Sequence, residues 1–90
     1  MIECLIRYYF KSEDGTVIRF ERSAEFIAVP FIGAQLSLRN DQLSVKQVIF
    51  HEDSGVILVV ETEKFETNET QEIIADMKDQ GWTVASVVNR

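Results

Sequence analysis

The sequence predicts a mainly β fold of the α+β class, a sheet of five to six strands with one helix before the last strand. Short segments in which apolar and polar residues alternate are separated by polar turns, as is typical of β-strands. Residues 68–80 instead repeat apolar side chains at helical spacing and stop at Gly81. Ninety residues allow one modest core, so we expect a single domain over residues 1–90.

The centre of the predicted sheet is a β-hairpin over residues 45–61 that turns at residues 52–55. In its first strand, alternation places on one side Val45, Gln47 and Ile49 and on the other Lys46, Val48 and Phe50. In its second strand one face carries Val56, Leu58 and Val60 and the other Ile57 and Val59. A strand that is apolar on both faces is typical of a buried position, so we expect both faces to be covered.

A second hairpin is predicted at the start of the chain, from residues 2–10 and 16–21. Its turn contains Asp14-Gly15, a strong hairpin signal. The core face of this hairpin is expected to carry Ile2, Cys4, Ile6, Tyr8, Phe10, Ile18 and Phe20. On the other face, Arg7 and Lys11 are placed to pair with Glu21 and Glu13.

The remaining elements are a short strand, the helix and a last strand. Residues 35–39 form the short strand, with Leu36 and Leu38 directed inward. Asn68 is the expected N-cap of the helix, with Gln71 completing a capping box. Residues 82–88 form the last strand, on which alternation puts together Trp82, Val84 and Val88.

This order of short strands, polar turns and a helix before the final strand resembles the small SH3-like β-barrels. The resemblance covers most of the chain and implies a closed antiparallel barrel. The helix is longer than the single turn usual in that family, so a strongly bent, open sheet is the alternative. Glu13-Asp14 and Tyr8-Tyr9 match the family's binding residues only loosely, and no binding site is carried over from it.

Charge and cysteine content narrow the class of protein. The net charge is −6, whereas nucleic-acid binders usually cluster Lys and Arg against phosphates. The single cysteine, Cys4, cannot form an internal disulfide, which favours a reducing, cytoplasmic setting. No apolar run is long enough to span a bilayer, and the first residues do not have the pattern of a secretory signal.

Catalytic, metal and cofactor sites are not expected. Cys4 lies on an apolar strand face and nothing places His51 beside it, so this pattern does not predict a Cys-His nucleophile. His51, Glu52 and Asp53 are consecutive, and their side chains diverge rather than converge on a metal. The acidic run over residues 61–72 is interpreted as a solvated surface; the alternative is an acidic surface that binds a basic partner or mimics nucleic acid.

The predicted protein interface is the apolar stretch over residues 26–36. It contains Pro30 and Gly33, which suit a sheet edge or a crossover. A core of this size has little room for all of its large side chains, and exposed apolar patches mark interaction sites. We expect contact with a protein partner or a second copy through Phe26, Ile27, Val29, Pro30, Phe31 and Ile32. The alternative is that the segment closes one end of the barrel.

The function expected from these patterns is that of a small, non-catalytic, cytoplasmic interaction module of bacterial or phage type. The alternative is a nucleic-acid-binding barrel, because one strand face combines basic and aromatic side chains on which phosphates and bases could bind. The residues of this alternative face are Arg7, Tyr9, Lys11 and Arg19.

Overall fold

The computed structural model describes residues 1–38, 41–53 and 55–89. The predicted turn residues Arg39, Asn40 and Ser54 lie outside these ranges. The described chain is mainly β with one α-helix, which confirms the predicted class. The predicted number of five to six strands is wrong, because the described ranges contain seven; residues 63–65 of the acidic run add a short strand beside the first one. The strands are β1 (Ile2–Ser12), β2 (Val17–Phe26), β3 (Gln35–Leu38), β4 (Asp41–His51), β5 (Gly55–Val60), β6 (Glu63–Phe65) and β7 (Thr83–Val88). A 3₁₀ turn (Thr67–Glu69) leads into the helix α1 (Thr70–Asp79).

The strands form one open, mixed sheet in the order β3-β4-β5-β1-β2-β7, with β6 beside the second half of β1. The antiparallel barrel implied by the SH3-like resemblance is not confirmed, because the sheet does not close and β1 runs parallel to both β5 and β6. The chain crosses from β2 to the far side of the sheet over residues 27–34, so the β4–β5 hairpin returns with β5 against β1. Hairpin signals report only pairing between neighbouring segments and do not predict this crossover.

The predicted central hairpin is confirmed as the antiparallel pair β4–β5, but its alternation is not. The register shifts between Val45 and Gln47, which is the signature of a β-bulge at Lys46. Val45 is consequently buried in the core while Val48, three residues later, also packs against it. On the opposite face Ile57 is buried as well, flanked across the strands by Leu5 and Ile49.

The core lies between α1 and one face of the sheet. From the sheet it receives the predicted side chains of β1 and β2, Cys4, Ile6, Tyr8, Ile18 and Phe20, together with Leu36, Val45, Leu58 and Val60. From the helix and its exit it receives Met77 and Trp82, with Ile73 and Ile74 packed alongside. The opposite face of β1 and β2 has no helix over it in the described part of the chain.

The end of α1 is as predicted and its beginning is not. Gly81 has a φ of +93°, its N–H donates to the Lys78 carbonyl at 3.0 Å, and the Trp82 N–H donates to the Met77 carbonyl at 3.0 Å. These two bonds form a Schellman motif, which brings Trp82 back onto the core. The helix starts after Glu69 with no side-chain cap, so the capping box on Asn68 is wrong; the chain enters through the 3₁₀ turn instead.

A second bulge changes the last strand. Arg19 pairs with Ser86 but Phe20 pairs with Val84, so Ala85 is the extra residue. Val84 therefore packs against the core, whereas Val88, opposite Val17, lies on the other face. The prediction that Val84 and Val88 share a face is wrong because the bulge reverses the alternation.

Candidate functional site

Large apolar side chains lie exposed on the crossover and at the end of β4. The exposed fractions are 91% for Ile27, 73% for Phe31, 66% for Ile32 and 74% for Phe50. We call these four residues the apolar surface. Three of them belong to the predicted interface; Phe50 was not predicted, because strict alternation along β4 gave no sign of how exposed it would be.

The other predicted interface residues are less accessible. Phe26 ends β2 and packs against the core. Val29 and Pro30 are half-buried. Phe26 thus belongs to the core, whereas the exposed residues of the crossover are directed away from it.

The apolar surface adjoins an open strand edge. β3 pairs with β4 only as far as Ser44. The crossover then continues this pairing by one step, as Gly33 N–H donates to the Val45 carbonyl at 2.8 Å and Val45 N–H donates to the Ala34 carbonyl at 2.9 Å. Beyond Val45, no strand within the described ranges pairs with the outer side of β4. Such an edge can accept a further strand.

A groove of about 530 Å³ lies on the sheet face opposite α1. It combines one phenol ring, two cations and three aliphatic hydroxyls, supplied by Tyr9, Lys11, Arg19, Ser12, Thr62 and Ser86. Gly15, Val17 and Val88 complete its walls, so none of the described residues lining it is acidic. The structure thus brings together three of the four residues predicted for the nucleic-acid face.

Arg7, the fourth residue, is engaged elsewhere. Its Nε donates to Glu21 Oε2 at 2.7 Å, the cross-strand pair that the sequence predicts. Arg19 Nε lies 3.6 Å from the same oxygen, is buried, and has no hydrogen-bond partner within the described chain. One carboxylate is therefore shared unequally between two guanidinium groups, and Arg19 keeps an unused donor beside the groove.

The turn between β1 and β2 is stabilised by hydrogen bonds to Asp14, one of its own residues. The Asp14 carboxylate accepts hydrogen bonds from the Ser12 hydroxyl and, at 3.0 Å, from the Thr16 N–H. These hydrogen bonds, that of Ser12 first, lower the pKa of Asp14 below its ordinary value. A neighbouring groove of about 740 Å³ between this turn and residues 64–69 has walls of mixed charge. Asp14 is thus accounted for as a turn residue.

Two members of the acidic run also have structural partners. Glu61 Oε1 accepts the Ser44 N–H at 3.1 Å, which ties the end of β5 to β4. Burial, followed by the charge of Glu63 and a hydrogen bond to it, raises the pKa of the Tyr8 phenol well above its ordinary value. Neither contact was predicted, because each joins residues that are distant in sequence.

Cys4 and His51 lie in different environments. Cys4 is fully buried on the core face, and burial raises the pKa of its thiol, which disfavours the reactive thiolate. His51 is exposed at the end of β4, where its Nδ1 accepts the Asp53 N–H at 3.2 Å. Among the described residues, no group of three His, Cys, Asp or Glu side chains is arranged to hold a metal ion.

Comparisons with known proteins add no family or neighbour. Searches against protein-family models, curated proteins and solved structures give no match to this chain. In the described residues, no helix has the length and apolar content needed to cross a membrane.

Proposed function

We propose that this protein is a small, non-catalytic interaction module that binds another protein, or a second copy of itself, through the apolar surface. The observation that carries the proposal is the exposure of Ile27, Phe31, Ile32 and Phe50, each at least 66% accessible. Three of these residues lie within residues 27–32 of the crossover, and exposed apolar patches mark interaction sites. The setting that we propose is the cytoplasm, on the ground that a single cysteine suits a reducing compartment.

Solution mass is the first test of this proposal. Size-exclusion chromatography with light scattering over a concentration series should reveal self-association, and Phe31→Asp should abolish it by placing a charge on the apolar surface. Val87→Asp is the matched control, because Val87 is also exposed but lies on β7 at the other edge of the sheet. Loss of association in both variants would contradict the assigned surface.

A monomer at every concentration would favour a different protein as the partner. Affinity capture from the native host, with the wild-type chain and Phe31→Asp compared side by side, then decides. A partner retained by the wild type and lost with Phe31→Asp supports the proposal. A partner retained equally by both would place the binding elsewhere and overturn it.

The second candidate function is nucleic-acid binding through Arg7, Tyr9, Lys11 and Arg19. The groove favours it, because two cations and an aromatic ring line one cavity free of described acidic residues. The net charge of −6 and the engagement of Arg7 by Glu21 weigh against it. Binding to a single-stranded DNA column that is lost as salt rises would support this function, and passage without retention at low salt would reject it.

A further inference from the structure

We infer that the groove on the open face of the sheet is a binding site for one mononucleotide, with its phosphate held by Lys11 and Arg19 and its base against Tyr9. This ligand differs from those of both proposed functions, since it is neither a protein nor a nucleic-acid strand. The site and the apolar surface share no residues.

Cross-strand geometry brings the three side chains together. Tyr9 on β1 is directly opposite Arg19 on β2, and Lys11 lies two residues farther along β1 on the same face. Directly opposed residues of an antiparallel pair have Cβ atoms about 4.5–5.5 Å apart. A ring and two cations therefore line the same groove on the sheet.

Charge then selects the class of ligand. The protein carries 15 acidic and nine basic residues, yet this groove contains two cations and none of the described acids. Arg19 Nε has an unused donor because Arg7 holds Glu21 at the shorter distance, 2.7 Å against 3.6 Å. Nε itself is buried, but the Arg19 side chain is 32% exposed and lines the groove. Its guanidinium can therefore offer a charge-assisted hydrogen bond to an anionic oxygen bound there. A phosphate group meets both cations at once.

Size and surroundings favour a single nucleotide over a strand. The volume of about 530 Å³ is within the range of pockets that enclose small ligands. The hydroxyls of Thr62 and Ser86 offer hydrogen bonds to a sugar, and the Tyr9 ring offers a stacking surface for a base. A longer polyanion would extend onto a molecule whose net charge repels it.

Isothermal titration with adenosine monophosphate tests the assignment, with adenosine, inorganic phosphate and a ten-nucleotide thymidine strand as comparison ligands. Saturable binding of the monophosphate is expected, weaker by about tenfold or more in Lys11→Gln and in Arg19→Gln. Lys46→Gln, an exposed lysine on β4 away from the groove, removes the same charge and should bind normally. Circular dichroism checks that each variant is folded.

Four results would overturn the inference. These are no binding of the monophosphate, binding unchanged in the two groove variants, equal binding of inorganic phosphate, and binding of the strand alone. The last result would support the nucleic-acid function instead. Because the apolar surface is separate, Phe31→Asp should leave monophosphate binding intact, so failure of this site and failure of the protein-interaction proposal are distinguishable.

Discussion

The core and the apolar surface are built from the same kinds of side chain and differ in what covers them. In the core, Phe10 packs at ring-centroid distances of 4.7 Å from Tyr8 and 5.3 Å from Phe20, and Tyr8 lies 5.5 Å from Trp82. Helix α1 and its Schellman motif supply the cover. On the apolar surface, Phe31 and Phe50 remain about three-quarters exposed. Side-chain type alone therefore does not determine whether an aromatic residue stabilises this fold or is available to a partner.

The largest expected contrast is between truncating one aromatic residue in each region. Trp82→Ala should lower the free energy of unfolding by about 3–5 kcal/mol, because it empties a buried site. Phe31→Ala should change it by no more than about 0.5 kcal/mol, because the ring is mostly exposed. Urea denaturation at low protein concentration measures both. If both variants lost the same free energy of unfolding, Phe31 would be buried in the folded protein, and the core and the apolar surface would not differ as described.

The packing of helix α1 over the core can be weakened by substituting Gly81 at the helix end. Its φ of +93° is a conformation that β-branched residues avoid, while an added Cβ would meet no atom within 4 Å. Gly81→Val should therefore cost about 1–2 kcal/mol through backbone strain rather than a clash. Gly81→Asn should cost less, since Asn tolerates this conformation. If the two variants were equally stable in thermal unfolding, the helix exit would not depend on this backbone conformation.

The smallest of the expected effects on core stability is the ionisation of Tyr8 at alkaline pH. Burial and Glu63 raise the pKa of Tyr8 in the folded protein, whereas the unfolded phenol ionises near pH 10. Because the folded-state pKa is the higher one, the stabilisation is complete below about pH 10 and is lost as the pH rises through the folded-state value. The Tyr8→Phe variant has no phenolic hydroxyl at this position, so it lacks this pH-dependent contribution to stability. Its denaturation midpoint should fall less than that of the wild type between pH 9 and pH 11, and parallel curves would contradict the assignment.

Prediction from sequence succeeded where the signal is local. Local signals account for the helix end at Gly81, the pairing of β4 with β5 and the Arg7–Glu21 ion pair. They are helix-end chemistry, turn residues between apolar segments, and hairpin register. The bulges at Lys46 and Ala85 could not be predicted, because each depends on the register of a partner strand rather than on the bulged residue itself. The parallel pairing of β1 with β5 depends on where the crossover carries the chain, and no turn motif encodes that.

The candidate sites divide in the same way. Tyr9 and Lys11 lie on one face of β1, and Arg19 lies on the same face of the paired strand β2. Alternation along the two strands was therefore sufficient to predict that these three side chains share a face. Ser86 and Thr62 come from distant segments and reach the groove only in the folded chain. The unequal sharing of Glu21, which leaves Arg19 Nε unpartnered, is a matter of about 1 Å between competing contacts and has no signature in sequence.

The crossover over residues 27–34 has a consequence for how the chain folds. It separates two units that each form from neighbouring segments, the β1–β2 hairpin and the β3–β4–β5 meander. Among the residues that the structure describes, only the parallel contact of Cys4–Arg7 with Val56–Val59 joins them in the sheet, across about 50 residues of chain. Pairing that must close so long a loop is intrinsically slow. We expect docking of the two units to limit the folding rate, so that Leu5→Ala slows refolding while hairpin-turn substitutions mainly change the unfolding rate in stopped-flow kinetics.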